Sequence, residues 1–275
     1  MTFTVVLPGV HGAGTGAALL SNLNNIIMKI AHFIALVTGA NRGIGRVFVE
    51  ELLKRGASKV YVAARDTTSL KEIFKDGDRR LVRMPLDVTD PDQVAAAAVI
   101  ASDVTLLVNN AGYAAFEGAI SATDTDNARR EMDVNYFGTL ALTRAFAPVL
   151  AKTGGGALVN MLSMLSLVSL PVAATYAASK AASLSLTRSV RAELGRQGTQ
   201  VIGVLAVQTE TEMGAKLPEP RMTPLEVVTE ALDAVEAGIN DEVVAGDQTR
   251  VVHAAFTADP KGLQAKMSTR LPQRA

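Results

Sequence analysis

From Ile34 onward, short apolar runs rich in β-branched residues alternate with longer segments whose apolar residues recur at helical spacing. The short runs lie at 34–37, 60–63, 81–84, 105–108, 157–160, 201–207 and 242–245, and the helical segments at 45–55, 91–102, 125–150, 176–196 and 224–238. The runs are apolar at consecutive positions rather than at every second one. A strand of that kind buries both faces, which occurs when parallel strands are joined by helical crossovers. The pattern therefore predicts an α/β fold: one doubly wound, parallel, seven-stranded sheet with helices on both faces. Such sheets take ligands at the carboxyl ends of the strands, where the strand order reverses, so the residues just after each run carry the most information.

Composition narrows the chemistry. The chain has 275 residues, 48% hydrophobic and 20% charged, with 27 basic and 27 acidic side chains. That balance supports a large core and offers no electrostatic surface for nucleic acid or an anionic membrane. There is no cysteine, so disulfides, a thiolate nucleophile and a cysteine-based metal site are excluded. The three histidines, His11, His32 and His253, have no metal-ligand spacing, and no metal is expected. No apolar run reaches the roughly 20 residues of a membrane helix. Residues 1–25 lack a basic leader and a cleavage site, and the reading is a cytoplasmic protein. Residues 1–32 read as an N-terminal extension, appended or flexible, and 33–275 as a single catalytic domain. Gly9, Gly12, Gly14 and Gly16 in the extension follow an apolar run but lead to no ribose-reading residue, so they read as a turn-forming segment.

The first strand leads into Thr38-Gly39-Ala40-Asn41-Arg42-Gly43-Ile44-Gly45, which opens a helix. Glycines there let the backbone approach a pyrophosphate, whose charge is favoured at the helix amino terminus, so the turn reads as a dinucleotide site. A site for NAD(H) would place Asp or Glu at the end of the second strand. That position is Ala64, followed by Arg65, and Arg42 lies inside the glycine turn. Two guanidinium groups suit a 2′-phosphate, which favours NADP(H) over NAD(H), with Asp66 the one discordant charge.

Tyr176 and Lys180 are four residues apart at the start of a helix, on one face and one turn apart. A phenol with its ordinary pKa near ~10 is a poor base at neutral pH. A nearby ammonium, with the positive ring of an oxidised nicotinamide, lowers it and lets the tyrosine exchange a proton with a carbonyl or alcohol oxygen. Ser163, just after the fifth run and thirteen residues before Tyr176, can hold the same oxygen. Asn109-Asn110-Ala111-Gly112 ends the fourth run, and Asn135 lies in the long helical segment.

In that order and spacing, the residues resemble the short-chain dehydrogenase/reductase family, in its compact single-domain branch with a Rossmann-type sheet. The resemblance covers about 33–245. It implies an NADP(H)-dependent oxidoreductase that interconverts a carbonyl and an alcohol by hydride transfer. It implies Tyr176 as general acid/base, Lys180 as the group that lowers its pKa and binds the nicotinamide ribose, and Ser163 as the positioning hydroxyl. Asn135 would hold a kinked helix and a proton-relay water. Gly39, Asn41, Arg42, Gly43, Ile44, Gly45 and Arg65 match the cofactor turn and ribose positions. Asp87 and Val88 match the adenine site, Asn109, Ala111 and Gly112 the adenosine ribose, and Thr209 and Thr211 the neighbourhood of the carboxamide. The family pairs two long helices, here near 136–150 and 176–196, into homodimers and homotetramers.

One departure is that Ala206-Val207 stands where the family has Pro-Gly, which frees the backbone and adds bulk near the nicotinamide. The following lid, 212–222, is short and implies an open site. Tyr113, Leu165, Val168, Val207, Met213 and Leu217 are candidates for a pocket that takes a small molecule with an apolar body. Two other readings, an epimerase or dehydratase of the longer branch and a dinucleotide-binding regulator without turnover, fit less well. The first needs a different glycine turn and a larger C-terminal region, and the second more often lacks the tyrosine or lysine.

Overall fold

The structure, a computed structural model, describes residues 29–74 and 77–272. The glycine segment at 9–16 lies outside the described residues. The chain runs β1 (Ile34–Thr38), α1 (Gly43–Lys54), β2 (Lys59–Ala64), α2 (Thr67–Ile73), β3 (Leu81–Pro85), α3 (Pro91–Ile100) and β4 (Leu106–Asn109). It continues through α4 (Asp126–Met132), a π-helical segment (Asp133–Gly138), α5 (Thr139–Lys152), β5 (Ala157–Met161), α6 (Ala174–Gly195) and β6 (Gln200–Leu205). Last come α7 (Pro224–Glu236), β7 (Glu242–Val244), α8 (Asp247–Ala258) and α9 (Pro260–Ser268).

All seven strands form one sheet in the order β3-β2-β1-β4-β5-β6-β7, and every neighbouring pair is parallel. This is the doubly wound sheet that the apolar runs predict. The order reverses between β1 and β4, and there the crossovers leave the sheet on opposite faces.

Side-chain alternation divides the strands between two cores. Ala35, Val37, Leu106, Val108, Ala157 and Val159 face a cluster with Phe48, Leu52, Val227 and Leu232 of α1 and α7. Leu36, Leu107 and Leu158 point the other way, against Val94 of α3, Leu142 and Phe146 of α5 and Val190 of α6. Ile30, inside the segment read as an extension, is fully buried in the first cluster, and its N–H donates to Glu236 at 3.1 Å. The packed body thus starts before Phe33.

Three differences from the sequence reading have local causes. The sixth strand stops at Leu205 rather than 207, because the N–H of Val207 turns to the Thr249 hydroxyl at 3.2 Å. The helix expected over 125–150 contains the π segment, whose Asn135 carbonyl accepts the Thr139 and Ser183 hydroxyls at 2.9 Å each. Helices α2, α8 and α9 were not anticipated. The last two bury little: in α8 only Thr249 is fully buried, with Val252 and Phe256 packing part-buried on a small apolar cluster, and α9 has no buried residue.

The turn before β5 shows how tightly the sheet edge is set. Gly156 has φ +63, and a Cβ on it would lie 2.2 Å from the Thr105 carbonyl oxygen, whereas Gly154 at φ +95 has open space around it. Gly156→Ala should therefore cost about 3 kcal/mol or more, through strain and a backbone clash together. Gly154→Ala should cost about 1 kcal/mol through conformation alone. Urea unfolding of the two variants checks this; equal losses would show that the Thr105 contact does not matter.

Candidate functional site

The ends of β1 and β4 are stitched together by side chains. Thr38 Oγ1 donates to the Val108 carbonyl at 3.2 Å and accepts from the N–H groups of Asn110 and Ala111 at 3.0 Å each. Asn110 Nδ2 returns to the Thr38 carbonyl at 2.8 Å. A Cβ on Gly45 would sit 2.3 Å from the Gly39 carbonyl oxygen and 2.4 Å from Asn110 Nδ2, so only glycine fits where α1 crosses this stitch. Arg42, the residue before α1, makes no side-chain cap. The first N–H groups of α1, from Gly43, Ile44 and Gly45, are then open to an anion.

The charges around this turn are arranged as follows. Arg42 pairs with Glu212 at 2.6 Å, both well exposed. Arg65 is exposed just beyond β2. Asp66 caps α2 by accepting from the Thr68 N–H at 2.8 Å, and those hydrogen bonds hold its carboxyl below the usual range. The carboxylate that seemed discordant in the sequence is thus engaged by a helix start. Asn41 lies in the same turn, half-buried. Asp87 accepts from the N–H and hydroxyl of Thr89, and Val88 packs under Gly138.

Asn109, one of the residues that the resemblance matches to the adenosine ribose, turns its side chain inward. It is buried and donates to Asn160 Oδ1 at 2.9 Å, and Asn160 donates to Thr187 at 2.9 Å, forming a polar ladder beneath α6. Only its backbone and the half-buried Ala111 and Gly112 border the cleft. Asn110, which the sequence reading did not single out, performs the stitching.

At the end of β5, Ser163 caps a single helical turn, its Oγ accepting from the Leu165 N–H at 3.1 Å. Its hydroxyl also favours the ionised form of the Tyr176 phenol. Tyr176 stands in the first turn of α6. One turn on, buried Lys180 donates to the Met161 carbonyl at 2.8 Å, with Nζ 5.8 Å from the centre of the Tyr176 ring. Burial pulls the Lys180 ammonium down to about 8. The phenol is pushed up to about 12, first by burial, then against the Ser163 hydroxyl and with the negative charge of Glu131 adding to the rise. The lowering expected from Lys180 does not set the direction of the shift: burial does, and the ammonium donates to the Met161 carbonyl.

Asn135 ties these parts together. Its side-chain amide accepts from the Tyr113 N–H and donates to the Tyr113 carbonyl and to Ser179 Oγ, each at 2.9 Å. Ser179 in turn donates to the Tyr176 carbonyl at 2.8 Å. The side chain of Asn135 is fully used in placing the loop and α6, so it positions Tyr176 and Lys180 without touching the phenol.

The candidate pocket residues are only partly gathered. Leu165 and Val207 are half-buried near the Ser163 turn, and Val168 is buried. The Tyr113 hydroxyl is turned to Asn127 at 2.6 Å, with the Arg130 guanidinium 4.3 Å over its ring. Met213 and Leu217 belong to a loop closed at its base by the Thr209–Met222 bridge, Glu210 N–H to the Met222 carbonyl and Met222 N–H to the Gln208 carbonyl. Thr209 is buried, and Thr211 leans on the glycine turn: a Cβ on Gly43 would lie 3.0 Å from its methyl. Val207 fits beside the fully buried Thr249, which explains how the bulkier residue is accommodated.

Comparison with known proteins bears on this site. The family model for short chain dehydrogenase matches residues 33–221. Dehydrogenase/reductase SDR family member 7B of Mus musculus is 31% identical over 211 residues, which is 72% of this chain and 65% of that protein. A 3alpha-hydroxysteroid dehydrogenase of Mediterraneibacter gnavus is 30% identical over 210 residues, covering 73% of this chain and 83% of that one. A solved short chain dehydrogenase from Burkholderia cenocepacia, in complex with NADP, is 43% identical with a TM-score of 0.81, covering 87% of this chain and 99% of that one.

Lys180 offers a test that needs no substrate. Between about 8 and the ordinary lysine value of 10.5, the unfolded chain holds the proton and the folded chain releases it. The contribution of Lys180 to stability therefore rises with pH through that window. Relative to Lys180→Met, wild type should gain stability between about pH 7 and about pH 10 in urea unfolding. A difference that stays constant would mean that the ammonium is solvated.

Proposed function

The chain belongs to the short-chain dehydrogenase/reductase family, an oxidoreductase family, and we propose that it is an NADP(H)-dependent enzyme interconverting a carbonyl and an alcohol. The observation that carries this reading is the grouping of Ser163 after β5 with Tyr176 in the first turn of α6 and buried Lys180 one turn on, beside the glycine turn at the sheet's crossing point.

The residues fit the cofactor. Gly45 packs directly on the Gly39 carbonyl and keeps the turn tight, the start of α1 is uncapped, and Arg42 and Arg65 flank the edge of β2, where Ala64 brings no carboxylate. The 43% identical relative from Burkholderia cenocepacia, solved with NADP, supports the same choice. The reduced nicotinamide supplies the hydride. Ser163 holds the substrate oxygen, and Tyr176, protonated at neutral pH, donates its proton to that oxygen as negative charge develops. Lys180 is placed to bind the nicotinamide ribose and to replenish the phenol's field, while Asn135 keeps α6 in register. In the oxidising direction the same proton must leave Tyr176, and charge from Lys180 opposes the penalty of burial.

The substrate is a small molecule with an apolar body, in keeping with Leu165, Val168 and Val207 beside Ser163. In this reading the protein works in the cytoplasm as a homodimer or homotetramer. The pairing surface would be the outer side of the π segment and α5, where Phe137 is 53% exposed.

NADPH should bind at least about tenfold more tightly than NADH, and Arg42→Ala or Arg65→Ala should each remove about tenfold of that preference, the scale of one charge-assisted contact. Calorimetric titration measures both, and equal binding of the two cofactors would overturn the NADP(H) assignment. Tyr176→Phe should retain NADPH binding and lose about 100-fold or more of carbonyl reduction across a ketone and aldehyde panel. Undiminished turnover in that variant would remove the tyrosine from the chemistry.

A further inference from the structure

Three side chains at four-residue spacing along one helical face hold the loop that follows β4. Asn135 binds both the N–H and carbonyl of Tyr113 at 2.9 Å. Glu131 Oε1 accepts from the Ala115 N–H at 2.9 Å. Asn127 donates to Glu117 Oε1 at 2.9 Å, and the Glu117 carbonyl accepts from Ala174, just before Tyr176, at 3.1 Å. With Ala115 and Glu117 both pinned, Phe116 between them adopts φ +58, the only positive φ at a non-glycine among the described residues. A bulky L residue rarely takes that conformation. Glu131 is itself a costly strut: it is fully buried, and its second oxygen has no hydrogen-bond partner. Two unfavourable features converge on the position of one ring, and such convergence is characteristic of functional loops.

That ring is half-buried, 6.0 Å centre to centre from Tyr176 and tilted 46° to it. A substrate oxygen held between Ser163 and Tyr176 brings its carbonyl substituents alongside Phe116. We infer that Phe116 is a specificity-determining residue that selects substrates with an aryl group next to the reacting carbonyl, and that Glu131 is the positioning residue that holds it there. The inference rests on Tyr176 being the proton donor. A planar aryl ketone lies in conjugation with its carbonyl and can stack on Phe116 while its oxygen reaches the phenol. A saturated ring of equal size loses that contact, which for aromatic pairs corresponds to about five- to tenfold in affinity.

The test compares an aryl methyl ketone with its cyclohexyl counterpart, using NADPH and the full chain. Wild type should favour the aryl ketone about five- to tenfold in kcat/KM, and Phe116→Ala and Phe116→Leu should bring the ratio near one while leaving NADPH affinity unchanged. Glu131→Ala should lose the preference with Phe116 intact, and Glu131→Gln, which keeps an oxygen acceptor for Ala115, should restore it. A wild type without the preference, or variants that keep it, overturns the inference. If neither ketone is reduced, the proposed reaction fails separately. The same ratio is then read as calorimetric binding of the two corresponding alcohols to the cofactor-loaded protein, and equal binding overturns the role of Phe116.

Discussion

A parallel sheet cannot leave either face in water without stranding apolar side chains, and this requirement organises the molecule. Ala35 and Val37 point to one core while Leu36 points to the other, and the same division repeats on β4 and β5. Helices must then cover both sides, α1 and α7 on one and α3, α5 and α6 on the other. Where the crossovers diverge, between β1 and β4, the strand ends lie open. The Thr38–Asn110 stitch makes that gap a rigid floor, and the glycine turn, Ser163 and the start of α6 stand around it.

Buried polar groups set the upper part of the site, and almost every one is matched. The Asn135–Ser179–Tyr113 cluster satisfies donors and acceptors that would each be costly alone, and the Asn109–Asn160–Thr187 ladder does the same except at Asn109 Oδ1, which has no partner. In the π segment the Asn135 carbonyl receives two hydroxyls, from Thr139 one turn on and from Ser183 of α6, which ties the segment to that helix. Two buried charged side chains, Lys180 and Glu131, stand beside these groups. One is a cation whose proton is loosened by burial, and the other is an acid with an unmatched oxygen. The phenol of Tyr176 nearby is raised first by its own burial, with the charge of Glu131 adding to the rise.

Departures from the family pattern are absorbed by specific contacts. Val207, where glycine is usual, donates its N–H to Thr249 and packs its side chain between two apolar clusters. The C-terminal helices that provide Thr249 also reach the cleft wall: Gln264 of α9 accepts from the Ser169 N–H at 2.9 Å and donates to its carbonyl at 3.0 Å. The chain end is thus held by the packing of Val252 and Phe256 of α8 and by polar contacts of α9 to the loop beyond Ser163.

Much was legible in the linear chain. Seven apolar runs without alternation determine a parallel sheet, since burial on both faces is a property of the residues themselves. Thr38–Gly45 and the Tyr176–Lys180 spacing mark the turn and the helix face because those features are local, spanning one turn or less. Contacts between distant segments were not legible. The stitch by Asn110, the inward turn of Asn109, the use of Asp66 as a cap and the strained placing of Phe116 by Glu131 depend on which groups meet across many residues. The spacing of Asn127, Glu131 and Asn135 offered a signal, three polar residues one turn apart on one helical face, but not the loop that it holds. The direction of the Tyr176 shift was decided by the tertiary structure as well. Spacing puts a cation one turn away, but the balance between charge and desolvation depends on how deeply the fold encloses both groups.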